Sequence, residues 1–149
     1  MAFTVKIEPM SSKDLPEVLA IEQQSFPLPY SENLFRMELE LKIAHLFVAR
    51  QQQEILGYLD FWHVSREMNV ISIATHPAAR RRGVGAHLMT HLVNYGRTQQ
   101  VEQIFLDVRE SNQAAIALYK KFGFQAIDIR KGYYQDNEEN ALVMELKLS

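Results

Sequence analysis

The apolar residues of this chain change their spacing at Pro77, and this change constrains the fold more than any other feature. Before Pro77 the pattern predicts three strands, over Leu46–Arg50, Ile55–His63 and Val70–Thr75, with a first turn at Gln51–Gln53. After it, four apolar or aromatic residues recur at helical spacing, namely Val84, Leu88, Leu92 and Tyr95. A strand therefore runs into a long helix, and a chain built in this way buries its sheet under its helices.

Seven further elements complete the pattern. They are a strand with Phe3, Val5 and Ile7 that ends at Pro9, a helix from Ser11-Ser12 to about Gln24, a helix capped by Ser31 through Leu41, a strand over Ile104–Val108, a helix from Ser111-Asn112 to Phe122 stopped by Gly123, and strands over Phe124–Ile129 and Ala141–Leu146. The order β-α-α-β-β-β-α-β-α-β-β predicts a mixed sheet with helices on both faces, an α/β or α+β sandwich.

Length and composition predict one globular domain over residues 1–149. The formal net charge of −2 argues against a nucleic-acid binder held by overall charge. The chain has no cysteine, which excludes disulfides, thiolate metal ligands and a cysteinyl acyl-enzyme. No stretch approaches the length of a membrane span and the first residues show no leader pattern, so we expect a cytoplasmic protein without a membrane partner.

The turn between the strand at Ile71–Thr75 and the long helix has the composition of an anion site. It reads Arg80-Arg81-Arg82-Gly83-Val84-Gly85-Ala86. A helix N-terminus offers unpaired N–H groups, and glycines let the backbone approach an anion, so the segment predicts a phosphate cradle. It has neither the G-K-[ST] of a Walker loop nor the G-x-G-x-x-G of a dinucleotide fold. A glycine turn after a solvated arginine run remains the alternative.

A second group of candidate residues lies on the helix that begins near Asn112. Asn112 and Tyr119 are two helical turns apart and share a face, with the small Ala115 between them. A side-chain amide and a phenol would thus line one groove, where an amide-rich ligand arm could bind. The alternative is a helix cap for Asn112 and a buried core phenol for Tyr119.

These two segments resemble a known family. The R-x-x-G-x-G/A turn between a strand and a helix resembles the acetyl-CoA motif of the GNAT superfamily. Residues 106–124 resemble the L-[ED]-V-R-x-S-N-x-x-A-I-x-L-Y-x-x-x-G-F block of the bacterial ribosomal-protein-alanine N-acetyltransferases. The resemblance covers about residues 26 to 148. It implies the GNAT fold, a central mixed, mostly antiparallel sheet of about seven strands flanked by four helices.

The resemblance also implies roles for residues of the cosubstrate site. Strand residues Ile73, Ala74 and Thr75 would bind the pantetheine arm and the acetyl carbonyl, and Asn112 would contact coenzyme A. The pyrophosphate would be held by Arg80, Arg81, Arg82, Gly83, Val84, Gly85 and Ala86.

In the family the tyrosine of the block protonates the leaving thiolate and the acidic residue is the general base, roles that map onto Tyr119 and Asp107. The family commonly has glutamate where this chain has Asp107, whose shorter side chain could act through a water. The carboxylate could instead be structural, paired with Arg109 or with a backbone amide.

The acceptor side of the resemblance lies in two loops. Tyr133 and Tyr134 match the tyrosine pair that lies beside the acceptor peptide, and the Phe26–Ser31 loop, with Phe26 and Tyr30, matches the other side of the peptide slot. The alternative is a turn with exposed aromatics. The acidic run after the tyrosines consists of Asp136, Glu138 and Glu139. It would suit a basic acceptor such as a ribosomal protein tail, or it is a solvated loop.

The resemblance therefore implies an acetyl-CoA-dependent acetyltransferase of a protein N-terminal α-amine, with a ribosomal protein as one candidate acceptor, acting without a metal. A lysine or small-amine acetyltransferase and a non-catalytic acyl-CoA-binding regulator stay open as alternatives. His87 and His91 are four residues apart on the long helix, but they have no cysteine or carboxylate partner nearby. We expect a solvent-facing pair there rather than a metal site.

Overall fold

The computed structural model describes residues 4–148, and its sheet has seven strands in the order β1-β2-β3-β4-β5-β7-β6. The strands are β1 Lys6–Pro9, β2 Ala44–Gln51, β3 Glu54–Val64, β4 Glu67–Thr75, β5 Gln103–Arg109, β6 Gln125–Arg130 and β7 Ala141–Lys147. The helices are α1 Leu15–Ser25, α2 Glu32–Glu40, α3 Val84–Thr98 and α4 Gln113–Lys121. Each predicted element is present, in the predicted order. Phe3, which the sequence places in the first strand, lies outside the described residues.

Two apolar cores lie on the two faces of the sheet. On one face, Leu15 and Val18 of α1 and Phe35 of α2 pack on Val48 and Tyr58. On the other face, α3 and α4 pack on β3, β4, β5 and β7 through a larger set of buried residues that includes Leu88, Leu92, Ile104, Ile116 and Met144. Because each helix pair covers one face, the α/β sandwich with a mostly antiparallel sheet is confirmed.

Strands β4 and β5 form the one parallel pair in the described sheet, and they stay together for only three residues. Glu67, Met68 and Asn69 pair with residues 103–105, and beyond them no described strand pairs with this side of β4. The register of β4 against β3 skips Ile71, a bulge that increases local twist. The C-terminal half of β4 therefore turns away from β5 and leaves a cleft with open backbone groups.

Close packing at two glycines brings α3 to the end of this cleft. A Cβ at Gly57 would lie 2.8 Å from the Ala74 carbonyl oxygen and 3.0 Å from a Val84 methyl group. A Cβ at Gly85 would lie 3.0 Å from a Leu118 methyl group. Hydrogen atoms at both positions let the start of α3 press against β3 and α4. No helix within residues 4–148 is long and apolar enough to cross a membrane.

Candidate active site

The N-terminus of α3 opens at the end of the cleft without a side-chain cap. Arg81 and Gly83 both have positive φ, at 69° and 79°, so the turn is tightly curled before the helix starts. The first backbone bond across the helix start runs from the His87 N–H to the Gly83 carbonyl, at 3.0 Å. The N–H groups of Val84–Ala86 precede it and have no acceptor within the helix. The helix dipole and three exposed arginines add positive potential, which is the arrangement that binds a phosphate group.

Successive β4 residues of the site point to opposite faces of the sheet, and each face carries one of the two apolar cores. Ala74 is buried on the α1/α2 face, while Ile73 packs from the other face and Thr75 is half-buried. Their backbone groups on the β5 side lie along the open edge of the cleft. An extended amide-containing ligand could add there as a strand would.

Asn112 and Tyr119 lie at opposite ends of one face of α4. Asn112 is exposed, and its side-chain oxygen accepts a hydrogen bond from the Ala115 N–H at 3.2 Å, so it caps the helix. Tyr119 is 7% exposed, within the α3/α4 core. Burial, with a smaller contribution from Tyr134, raises the pKa of the Tyr119 phenol to about 12. Tyr119 therefore keeps its proton at neutral pH and can only donate it.

Asp107 points to the opposite face of the sheet from its neighbours Leu106 and Val108, which are buried in the α3/α4 core. Its carboxylate lies 3.5 Å from the Arg130 Nε, and its side chain is 32% exposed. The partner suggested by the sequence, Arg109, is engaged elsewhere. Asp107 is thus a reachable carboxylate with one loose ion pair.

Arg109 holds the loop between β6 and β7, here called the acceptor loop and defined as residues 131–140. Its Nη2 lies 2.8 Å from the Asp136 carboxylate, and its Nη1 lies 3.3 Å from both Glu139 and Asn137. Its guanidinium also lies 3.9 Å from the centre of the Tyr134 ring. Two of the three carboxylates in the acidic run are therefore paired internally rather than presented to an acceptor.

Of the two tyrosines in the acceptor loop, Tyr133 is exposed and Tyr134 is half-buried. Tyr133 is 50% exposed, and its ring meets that of Tyr134 edge-on, with centroids 5.2 Å apart. Burial, followed by the Asp107 charge, raises the pKa of Tyr134 to about 12. Tyr134 is therefore within electrostatic reach of both Asp107 and Tyr119, which lie on the two faces of the sheet.

The loop between α1 and α2 carries the other aromatic residues expected at the acceptor site. Tyr30 is 38% exposed and meets Phe35 edge-on, while Phe26 packs against the α1/α2 core. Burial raises the pKa of Tyr30, with smaller contributions from Glu22 and from Tyr133. Tyr30 and Tyr133 are therefore within electrostatic range of each other.

Glu22 is a site residue that sequence reasoning did not single out. It is 1% exposed, and its carboxylate accepts hydrogen bonds from the Tyr58 hydroxyl, the Ser72 hydroxyl and, at 2.9 Å, the Tyr30 N–H. It therefore ties the α1–α2 loop to β3 and β4. The available signal was an acidic residue within the apolar stripe of α1, where an exposed charge would not be expected.

Two further buried carboxyls interact with each other. Asp60 of β3 is 1% exposed and Glu38 of α2 is 6% exposed. The Glu38 carboxylate accepts a hydrogen bond from the Trp62 indole at 2.7 Å. Burial and the neighbouring Glu38 raise the pKa of Asp60 well above its ordinary value, so this carboxyl carries a proton at neutral pH.

Within residues 4–148, no group of three or more His, Cys, Asp or Glu side chains is arranged to hold a metal. The prediction that His87 and His91 both face solvent is wrong for His91. His91 is half-buried and its ring meets that of Phe47 edge-on with centroids 4.2 Å apart, because it lies one turn from the buried Leu88. His87 is exposed.

A cleft beside a candidate anion cradle, with a buried phenol and a reachable carboxylate at its end, is the arrangement expected of an acyltransferase with an extended, phosphate-bearing acyl donor. The acetyltransferase (GNAT) family model matches residues 15–124, and the chain belongs to this family. It is an acetyl-CoA-dependent acetyltransferase.

Individual relatives resemble the chain over nearly its whole length. The ribosomal protein bS18-alanine N-acetyltransferase of Escherichia coli K12 is 33% identical over 145 residues, covering 96% of this chain and 97% of that protein. A Bacillus subtilis protein that carries the same name provisionally is 37% identical over 136 residues, covering 91% and 90%. The crystal structure of the Escherichia coli enzyme superposes with a TM-score of 0.91 at 32% identity, covering 98% of this chain and 95% of that one.

Proposed function

We propose that this acetyltransferase modifies the N-terminal α-amine of a protein, and that a ribosomal protein with an N-terminal alanine is its acceptor. The observation that carries the proposal is the pair of exposed tyrosines on two loops, Tyr30 on the α1–α2 loop and Tyr133 on the acceptor loop, which are within electrostatic range of each other; in the proposal the space between them is the acceptor slot. The names of the Escherichia coli and Bacillus subtilis relatives support the choice of acceptor. An open slot walled by aromatic rings accommodates the end of a peptide chain.

The cosubstrate binds along the cleft in this proposal. The α3 start, with Arg80, Arg81, Arg82, Gly83, Val84, Gly85 and Ala86, holds the pyrophosphate. The open edge of β4 at Ile73–Thr75 receives the amide-rich arm, and the exposed Asn112 contacts it from α4. The uncapped N–H groups of α3 and the unpaired β4 edge support this fit, since both need hydrogen-bond partners.

The proposed chemistry is a direct transfer. Asp107, alone or through a water, takes a proton from the ammonium form of the α-amine and releases it to solvent, and the neutral nitrogen then bonds to the acetyl carbon. A β4 amide near Ala74 or Thr75 donates a hydrogen bond to the carbonyl oxygen as negative charge develops there. As the carbon–sulfur bond breaks, Tyr119 donates its proton to the sulfur. The second proton that the nitrogen loses as the amide forms restores the phenol.

The basicity of the acceptor decides between an α-amine and a lysine. The reference pKa of an α-amine is about 7.7–8.0 and that of lysine about 10.4, a gap of roughly 2.6 units or about 3.5 kcal/mol. An exposed aspartate is a weak base, so it suits an amine that is already partly neutral at physiological pH. This supports the N-terminal acceptor over a side-chain amine.

The test is a panel of acceptor peptides with acetyl-CoA. We expect turnover on peptides with a free N-terminal alanine and none on the same peptides blocked at the α-amine but carrying a lysine. Turnover on the blocked lysine peptides would reassign the acceptor. Binding of acetyl-CoA without turnover on any amine would contradict an enzymatic role.

A further inference from the structure

Arg109 makes more contacts with the acceptor loop than any role in the proposed chemistry requires. It lies at the C-terminal end of β5, two residues after Asp107 and therefore on the same face of the sheet. Its side chain is only 17% exposed, and its two terminal nitrogens reach Asp136, Asn137 and Glu139. A partly buried guanidinium with two carboxylates around it is held firmly.

The same guanidinium supports Tyr134. Its central carbon lies 3.9 Å from the centre of the Tyr134 ring, which is the geometry of a cation–π contact. The Tyr134 N–H in turn donates to the Glu139 carbonyl at 3.1 Å, so the ring and the loop backbone are fixed together. Arg109 thus sets where the Tyr134 phenol stands relative to Asp107.

The loop is also tied to the start of α4. The second Glu139 carboxylate oxygen accepts a hydrogen bond from the Ser111 N–H at 2.7 Å, and the Glu110 N–H donates to the Asn140 carbonyl at 3.2 Å. Arg109, at the end of β5, therefore joins the acceptor loop to the helix that carries Asn112 and Tyr119.

We propose that Arg109 is a positioning residue for acceptor binding: it holds the acceptor loop closed over β5 and orients Tyr134 into the slot, without touching either substrate. The proposal rests on the acceptor slot described under the proposed function. It assigns the acidic run to loop closure, since Asp136 and Glu139 neutralise Arg109 rather than select a basic acceptor.

Replacement of Arg109 should separate acceptor binding from cosubstrate binding. In Arg109→Gln we expect the KM for an alanine-terminated peptide to rise roughly tenfold, because two charge-assisted hydrogen bonds and the ring contact are lost together. The Kd for acetyl-CoA should stay within about twofold, since the α3 cradle is untouched. Arg109→Lys keeps the charge without the planar guanidinium, so its KM for the peptide should lie between those of the wild type and Arg109→Gln.

Hydrogen exchange gives a readout of the loop itself. In Arg109→Gln the amides of Tyr134 and Ser111 should exchange faster, while amides of the core strand β3 keep their protection. The matched control is Arg66→Gln, which breaks an exposed pair with Glu102 at 2.8 Å and leaves the acceptor loop intact. The control should change neither the peptide KM nor the exchange of the loop.

A double-mutant cycle with Tyr134→Leu tests whether Arg109 acts through the ring. If it does, the double variant should have nearly the KM of Tyr134→Leu alone, so that the two effects do not add. Fully additive effects, or an unchanged KM in Arg109→Gln, would overturn the positioning role alone. A Tyr134→Leu variant with the wild-type KM would instead overturn the acceptor slot, and with it the proposed function.

Discussion

Asp107 has two polar neighbours. Its carboxylate lies 3.5 Å from the Arg130 Nε, and Tyr134 is within electrostatic reach. A partly exposed carboxylate can accept a proton directly or through water. The role of Asp107 is therefore best tested by the pH dependence of its loss.

We expect Asp107→Ala to reduce turnover most at low pH. The deficit should be roughly 10²-fold near pH 6.5, the low end for general base catalysis. It should shrink as pH rises to about 9, because more of an α-amine with a reference pKa of about 7.7–8.0 is then already neutral. Peptide turnover measured across this pH range checks the prediction.

Two further variants separate catalysis from structure at Asp107. Asp107→Glu should keep substantial activity, since it retains the carboxylate, and Asp128→Asn should behave as wild type because Asp128 lies on the exposed strand β6. A deficit of constant size at every pH, together with a lower melting temperature, would assign Asp107 to structure instead.

At the scale of elements, the start of α3 is predictable from sequence because its signals are local. A tight turn before a helix is indicated by Gly83, Gly85 and the preceding arginines. The start of α4 is indicated by Asn112. The structure adds what the pattern cannot supply: a Cβ at Gly83 would meet no atom within 4 Å, so there is open space for a side chain at this position.

Gly83→Glu should strongly weaken acetyl-CoA binding, and Gly83→Gln is its matched control. Both variants place a side chain of similar size at a φ of 79°, which costs roughly 1–2 kcal/mol for an L-residue. Only glutamate adds a negative charge where the proposed pyrophosphate lies, so its Kd should exceed that of the glutamine variant by about tenfold or more. Calorimetric titration measures both. Equal affinities would remove the cradle assignment.

For the whole molecule, residue spacing predicts the order of elements but not the cleft, and the acceptor slot is expected only from the family resemblance. Spacing gives strands and helices because their periods are local properties. The separation of β4 from β5 after Asn69 depends on register between residues more than thirty positions apart. The pairing of Asp107 with Arg130 likewise depends on which strands become neighbours.

The buried acids show the same limit, because even where a sequence signal exists, as for Glu22 in the apolar stripe of α1, it does not reveal which groups will enclose the charge. Glu22 and Glu38 lie on α1 and α2, while Asp60 lies between apolar neighbours on β3. Once the helices cover the sheet, all three carboxyls are buried. The stability of the folded protein is thereby linked to proton binding.

Asp60 should make the folded protein less stable as pH rises. Its pKa is raised in the folded state by burial and by Glu38, whereas in the unfolded chain it is near the reference value of about 3.9. Between these two values the folded state holds a proton that the unfolded state has lost. The free energy of unfolding therefore falls with rising pH, by at most about 1.4 kcal/mol per unit for this one group.

Asp60→Asn should remove this dependence, because an amide has the size of the protonated carboxyl and does not ionise. We expect urea denaturation to show a stability difference between variant and wild type that shifts in favour of Asp60→Asn from pH 6 to pH 8.5. Asp128→Asn on the exposed strand β6 is the control and should follow the wild-type curve. Parallel curves for Asp60→Asn and wild type would mean that Asp60 is ionised in the folded protein, and that Glu38 or another neighbour holds the proton instead.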